Sequence, residues 1–257
     1  MINKSFRRFV WILSVLALSP NYGFAGVFGD LYAGPSRAAV LPVPVPSAVA
    51  EDFRAGAAGH YLQLSGLDLT QVPAAPAPGS AQDKADMKTL FDWQTKRTGA
   101  QCAQARAELS HSYEVFFGRI TPFVSLQPAA VTRFFKNTAK DSVAAHTYLK
   151  DAYQRPRPFE RDARLKPCVM RVLGFSYPSG HAAMARLFAL ILGDLVPARR
   201  AEFMARAEEV ALNRVISGVH HPTDIAAVKT LAEVLYSEIL KKPAFKAEMQ
   251  DLRAQLR

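Results

Sequence analysis

The sequence predicts an all-α, single-domain helical bundle, and three observations carry that reading. From Ala81 onward apolar side chains recur at three- and four-residue spacing, as one buried face of a helix requires. Pro156, Pro158, Pro197, Gly218 and Pro243 punctuate these stretches where helices must stop or start. Alternating strand patterns are few and no internal repeat is visible, which leaves helix packed on helix as the economical architecture. At 257 residues and 49% hydrophobic content, the chain can bury a substantial core.

Residues 1–25 read as an export signal. Lys4, Arg7 and Arg8 precede an apolar run from Phe9 to Leu18, and Gly23-Phe24-Ala25 supplies small residues at the two positions that a signal peptidase inspects. Cleavage after Ala25 is expected, with a periplasmic or secreted product. The run falls well short of the roughly 20 residues a membrane span needs. Leu187 to Val196, the best later candidate, is interrupted by Gly193 and Asp194, so no stable membrane insertion is expected after processing.

Residues 26–80 form a proline-rich arm with a short helix, and residues 81–257 the helical domain. Leu41-Pro42-Val43-Pro44-Val45-Pro46 enforces an extended path, which suits an arm laid along the body and a flexible tail equally, Ser47 is an N-cap for a helix through Arg54, and Val72 to Ser80 is a loop. Leu90, Trp93 and Arg97 share a helical face, with Trp93 in the core and the helix continuing towards Leu109. A long helix begins near Pro128 and runs through Phe134, Phe135, Val143 and Tyr148 to about Gln154. Four more helices are read at 182–196, 198–217, 222–241 and 243–256.

The formal charge is +10, and removal of Lys4, Arg7 and Arg8 leaves 10 − 3 = +7 for the mature chain. A positive excess suits a protein that handles anions. The basic residues are scattered, without the basic run and interleaved aromatics that grip a nucleic-acid strand, so no nucleic acid is expected as partner. Cys102 and Cys168 are the two cysteines, and in an exported chain the pair reads as a disulfide. Neither has a second Cys or His close by, which argues against a metal site.

Three segments carry chemistry. Ser176-Tyr177-Pro178-Ser179-Gly180-His181 turns into a run of helix formers. A helix entrance offers unpaired N–H groups to an anion, Ser179 adds a hydroxyl, and Gly180 lets the anion approach the backbone. Taken alone, the stretch reads first as an ordinary turn followed by a helix-start histidine, and only the other segments tip it towards an anion site.

Lys150 ends a face shared with Val143 and Thr147, which points its ammonium inward. Arg157 follows seven residues later; the proline after it stops the helix near Arg155 and lets Arg157 fold back towards Lys150. Arg155 itself reads as a solvated cation at the helix end. In the third segment Phe203, Ala207, Val210 and Arg214 share one face, which carries a guanidinium onto an apolar stripe where it must be paired. His220 lies four positions before Asp224, an arrangement that can fix an imidazole tautomer and leave Nε2 as nucleophile. Simple capping of the next helix is the competing reading.

Lys150-x6-Arg157-Pro158, Pro178-Ser179-Gly180-His181 and Arg214-x5-His220-x3-Asp224, in this order, resemble the signature of the type 2 phosphatidic acid phosphatase (PAP2) superfamily. That superfamily includes bacterial class A non-specific acid phosphatases, lipid phosphate phosphatases and vanadium haloperoxidases. The resemblance implies a helical bundle in which Lys150, Arg157, Arg214, Ser179 and the Gly180 backbone bind phosphate. His220 would attack phosphorus, Asp224 would orient it, and His181 would serve as general acid and base. It implies no metal or other cofactor, vanadate as a phosphate-mimicking inhibitor, and small-molecule phosphate esters as partners. Homo-oligomer formation stays open. The motif usually begins Ser-Arg, whereas Asn213 precedes Arg214 here, from which altered affinity rather than lost activity is expected. His221 also lies near Asp224, and a minor, substrate-facing role is expected for it. Competing functions are a lipid phosphate or polyprenyl pyrophosphate phosphatase, a vanadate-dependent haloperoxidase and a non-catalytic anion-binding relative.

Overall fold

The computed structural model describes residues 59–124 and 128–256. The export signal, the 26–46 arm and the Ser47–Arg54 helix fall outside the described residues. Those described form helices and loops with no β-strand. The helices are α1 Ala81–Lys96, α2 Gly99–Ala107, α3 Tyr113–Phe117, α4 Ala129–Tyr153, α5 Pro158–Arg161, α6 Gly180–Leu195, α7 Arg200–Ile216, α8 Pro222–Ala226, α9 Val228–Ile239 and α10 Pro243–Arg253. Among the described residues no helix is long and apolar enough to cross a membrane.

Helix α6 is the axis of the bundle. Every one of its residues except Arg186 and Asp194 is buried, because the sequence is apolar or small all round, as a helix needs when other helices cover every side. It packs on α7, α9 and α4. An aromatic layer closes one side, with Tyr113 stacked on Phe135 at 4.2 Å and Phe135 edge-on to Phe188 at 4.9 Å. Trp93 is buried as its spacing predicts.

Three local readings need correction. The helix from Ala81 does not run on to Leu109. It breaks at Arg97, and Thr98 caps a new helix through a reciprocal pair of hydrogen bonds with Gln101 at 3.2 and 2.9 Å. The 222–241 stretch divides into α8 and α9 at Ala227. On α4 the face through Val143 and Thr147 is exposed, and the buried stripe instead runs through Phe134, Thr138, Asp141, Ala145 and Leu149. Lys150 still reaches inward, from the boundary between the two faces. The predicted bridge between Cys102 and Cys168 is present and ties α2 to the loop before α6.

Two backbone features aim the site. Gln154 caps α4 in the left-handed region at φ 45°, ψ 34°, which reverses the chain so that Arg157 returns towards α4. Gly218, at φ 79°, turns the chain out of α7 towards His220, a conformation that a side chain would strain.

Candidate active site

The chain ends of four helices meet at one place: the C-termini of α4 and α7 and the N-termini of α6 and α8. Ser179 caps α6, its hydroxyl accepting from Ala182 N at 3.5 Å, and its own N–H donates to the Asp224 carbonyl at 3.0 Å. That bond locks the 176–181 turn to α8. Glycine at 180 has a local reason: a Cβ there would come within 2.9 Å of the His146 ring.

Arg157 and Lys150 act on His220, and Arg214 acts on Arg157 and His181. Arg157 Nη1 lies 2.8 Å from His220 Nε2 and also donates to the Val219 carbonyl at 3.0 Å, while its Nε donates to the Gly174 carbonyl at 2.9 Å. Lys150 Nζ donates to the carbonyls of Phe175 and Ser176. Its pKa is pushed down to about 7, chiefly by burial and then by Arg157. Arg214 is fully buried; Nη1 reaches only the Ala105 carbonyl, at 3.5 Å, and Nε and Nη2 have no hydrogen-bond partner. A buried guanidinium with orphaned donors is costly unless an anion completes it. Burial lowers its pKa to about 10, against the opposing charge of Glu108.

The geometry fixes the His220 tautomer. A guanidinium can only donate, so the Nε2 facing Arg157 holds its lone pair and the proton sits on Nδ1, which faces Asp224 Oδ2 at 3.4 Å. Burial, followed by Arg157, holds the imidazole well below its ordinary pKa, so it stays neutral in mild acid. Burial alone would raise the Asp224 carboxyl, but hydrogen bonds from His220 and His221 outweigh it and keep Asp224 ionised. His181 lies against His111 with ring centroids 3.7 Å apart and the rings tilted by 50°, and its Nε2 lies 3.3 Å from the Leu109 carbonyl. Burial first, then Arg214, His111 and His220, push its imidazole below the usual range. Those mutual charge effects place Lys150, Arg157, Arg214, His181, His220 and Asp224 in one electrostatic neighbourhood with Ser179 and Gly180 at its edge.

Two sequence readings are overturned here. His221 does not face substrate: it is fully buried behind His220, its N and Nδ1 at 2.8 and 3.1 Å from Asp224 Oδ2 and its Nε2 at 3.1 Å from Arg161. Arg155 is not a solvated helix end. It is buried, with Nη1 at 2.7 Å from Asp224 Oδ1 and Nη2 at 3.0 and 2.8 Å from Asp83 and Asp86. His111, His146, Ser176, Glu108, Asp83 and Asp86 also escaped the sequence reading. Asp83 and Asp86 sit one turn apart in the acidic start of α1, the only local hint that this turn faces a cation.

The family profile of the PAP2 superfamily matches residues 135–235, which contain all three motif segments. A non-specific acid phosphatase of Providencia stuartii is 30% identical over 205 residues, covering 74% of this chain and 82% of that protein. A non-specific acid phosphatase of Salmonella typhimurium is 34% identical over 112 residues, covering 42% of this chain and 44% of that protein, so this match spans less than half of that relative. Among solved structures, a transmembrane PAP2 type phosphatidylglycerolphosphate phosphatase from Bacillus subtilis aligns at 20% identity with a TM-score of 0.45, covering 64% of this chain and 87% of that one. With the Providencia protein aligned over most of its length and the motif residues gathered at one set of helix ends, the chain belongs to the PAP2 superfamily.

Proposed function

We propose that the chain is an exported acid phosphatase that hydrolyses small phosphate monoesters through a phosphohistidine at His220. The observation that carries this reading is the pairing on His220 itself: Nδ1 towards Asp224, Nε2 towards Arg157, beside a buried Arg214 with unpartnered donors. A phosphate dianion held by Arg157, Arg214 and Lys150, with Ser179 and the Gly180 N–H, would bring phosphorus in front of Nε2. As Arg157 turns to a phosphate oxygen, the Nε2 lone pair is released for in-line attack. The P–O bond to the leaving group breaks, and that oxygen takes a proton from His181. Water then loses a proton to His181 and attacks phosphorus, the P–N bond breaks, and inorganic phosphate leaves.

Charge explains the order of events. Burial first, and then the charge of Arg214, hold His181 neutral, and a bound dianion offsets that charge, so the acid is charged by the arrival of its own substrate. Lys150, Arg157 and Arg214, with the helix entrance, stabilise charge on the equatorial oxygens of the transition state. Mildly acidic pH suits the site, because His220 remains neutral there while Lys150 is charged. The test is hydrolysis of p-nitrophenyl phosphate by the purified protein in EDTA, with inhibition by vanadate. Absence of hydrolysis across the acidic range contradicts the reading.

One observation favours a second substrate class. Met170 and Leu173 are 76% and 93% exposed on the loop whose Gly174, Phe175 and Ser176 carbonyls hold Arg157 and Lys150. Two large exposed apolar side chains on that loop suit a lipid phosphate presented at an interface. Relative rates on a soluble ester and on a lipid phosphate in detergent, with Met170→Ser and Leu173→Ser as controls, separate the two.

A further inference from the structure

Behind Asp224 lies a buried polar network that the mechanism above does not use. Asp224 Oδ2 receives the Ser176 hydroxyl, both the N and Nδ1 of His221, and His220 Nδ1. Its other oxygen, Oδ1, receives Arg155 Nη1 at 2.7 Å. That nitrogen also donates to Thr223 Oγ1 at 2.7 Å, and Thr223 Oγ1 in turn donates to Asp86. Arg155 Nη2 divides between Asp83 Oδ1 at 3.0 Å and Asp86 Oδ2 at 2.8 Å. Arg161 closes the far side, on Asp83 at 2.7 and 2.6 Å and on His221 Nε2 at 3.1 Å. All of these carboxylates are essentially out of water.

A carboxylate that orients an imidazole must itself be held. Asp224 rotates about its Cβ–Cγ bond, and either oxygen could meet His220 if nothing distinguished them. The planar guanidinium distinguishes them: one edge takes Oδ1 and the other takes two carboxylates from a different helix, a fork that a lysine cannot reproduce. We propose that Arg155 is a positioning residue for the reaction, anchoring Asp224 Oδ1 to Asp83 and Asp86 on α1 so that Oδ2 is presented to His220. This rests on the proposed role of His220 as nucleophile. It makes α1, which lies outside all three motifs, part of the machinery that orients the reacting imidazole.

The competing explanation is that the bridge merely clips α1 to the bundle. Charge separates the two. His220 faces Arg157 at Nε2 and Asp224 at Nδ1, with Lys150 and His181 close by and Arg155, His221, Asp83, Asp86 and Arg161 behind Asp224. Removing the Arg155 charge takes away a cation that Asp83, Asp86 and Asp224 share, which makes protonation of His220 easier. The nucleophile is then lost at a higher pH than in the wild type.

The experiment compares wild type, Arg155→Met and Arg155→Lys in the full-length mature protein, all checked for folding by circular dichroism. The Met variant is expected to lose about ten- to a hundredfold in kcat, as loss of an outer partner of a reacting group does. Its KM and vanadate inhibition stay within about twofold, since Arg155 does not touch phosphate. The acid limb of its kcat/KM profile moves up by about one pH unit. The Lys variant restores the limb and part of kcat. If the Met variant does not fold, Arg155→Gln, which keeps a donor without the charge, carries the same predicted shift. Wild-type kcat with an unmoved acid limb overturns the proposal, as does a loss confined to KM, or a loss of equal size in the Met and Lys variants with neither limb displaced. Titration of the His220 ring by nitrogen NMR reads the same shift without turnover. A wild type inactive on every ester would thus count against the proposed function, while the NMR titration still decides the role of Arg155.

Discussion

Asn213 Nδ2 donates to Glu108 Oε2 at 2.8 Å, one residue before the arginine with orphaned donors. Glu108 is 1% exposed, and its other oxygen takes Arg206 at 2.6 Å and Gln104 at 2.8 Å. The amide is thus committed to a buried carboxylate on the approach to α3, and its strand of contacts ties α7 to that segment. Asn213→Leu removes the donor and leaves Oε2 unpaired. A loss of about 1–3 kcal/mol in urea-unfolding stability is expected, with kcat falling far less than for Arg214→Ala. A large kcat loss without destabilisation would instead place the amide in the phosphate site.

A Cβ added at Gly180 would come within 2.9 Å of the His146 ring at the start of α6. His146 is held neutral, its pKa pushed to about 3 by burial and by Lys150 and His111, so its ring meets the turn uncharged. Gly180→Ala is expected to cost about 1–3 kcal/mol through overpacking and to lower kcat/KM by displacing the turn. Adding His146→Ala makes room and should recover part of both losses. Additive losses in the double variant would contradict this.

The Lys150 ammonium, with a folded-state pKa near 7, predicts an alkaline limb. The sign follows directly: the group is charged below that value and neutral above it, so phosphate affinity falls as pH rises through about 7. The limb should appear in kcat/KM, which reports the free enzyme, and lie at higher pH in kcat, because bound phosphate stabilises the ammonium. Arginine does not titrate in this range, so Lys150→Arg should flatten the limb even if its absolute rate is lower. A limb unmoved in that variant assigns it to another group.

Reduction of the Cys102–Cys168 bridge opens a closure spanning 66 residues in sequence. On chain entropy alone this costs on the order of 4 kcal/mol. Because Cys168 N also donates to the Ser217 carbonyl, the bridge supports the loop that holds Arg157 and Lys150. A lower urea midpoint with dithiothreitol is expected, and an unchanged midpoint would show that the loop is held without it.

The motif residues were legible because each lies at a helix end marked by proline or glycine, where local spacing and chain reversal are coupled. Arg214 could be placed on a buried face from Phe203, Ala207 and Val210, all of which are buried. Arg155 was misread for the complementary reason. Its partners Asp83, Asp86 and Asp224 lie 72, 69 and 69 residues away, and no window along the chain shows which distant helix will cover a given cation. Val143 fails the same way: spacing says which residues share a face of α4, not which face the bundle covers. His221 was ambiguous because two adjacent histidines both reach one carboxylate, and the fold alone decides which ring meets Arg157 and which meets Arg161.

The central claim is that His220 carries the phosphoryl group. Mixing the protein with p-nitrophenyl phosphate, quenching in alkaline denaturant that preserves phosphohistidine, and mapping the modified peptide by mass spectrometry tests it most directly. A phosphoryl group on His220 is expected in the wild type, none in His220→Ala, and no turnover in that variant. A phosphoryl group on another residue, or undiminished hydrolysis by His220→Ala, would contradict it.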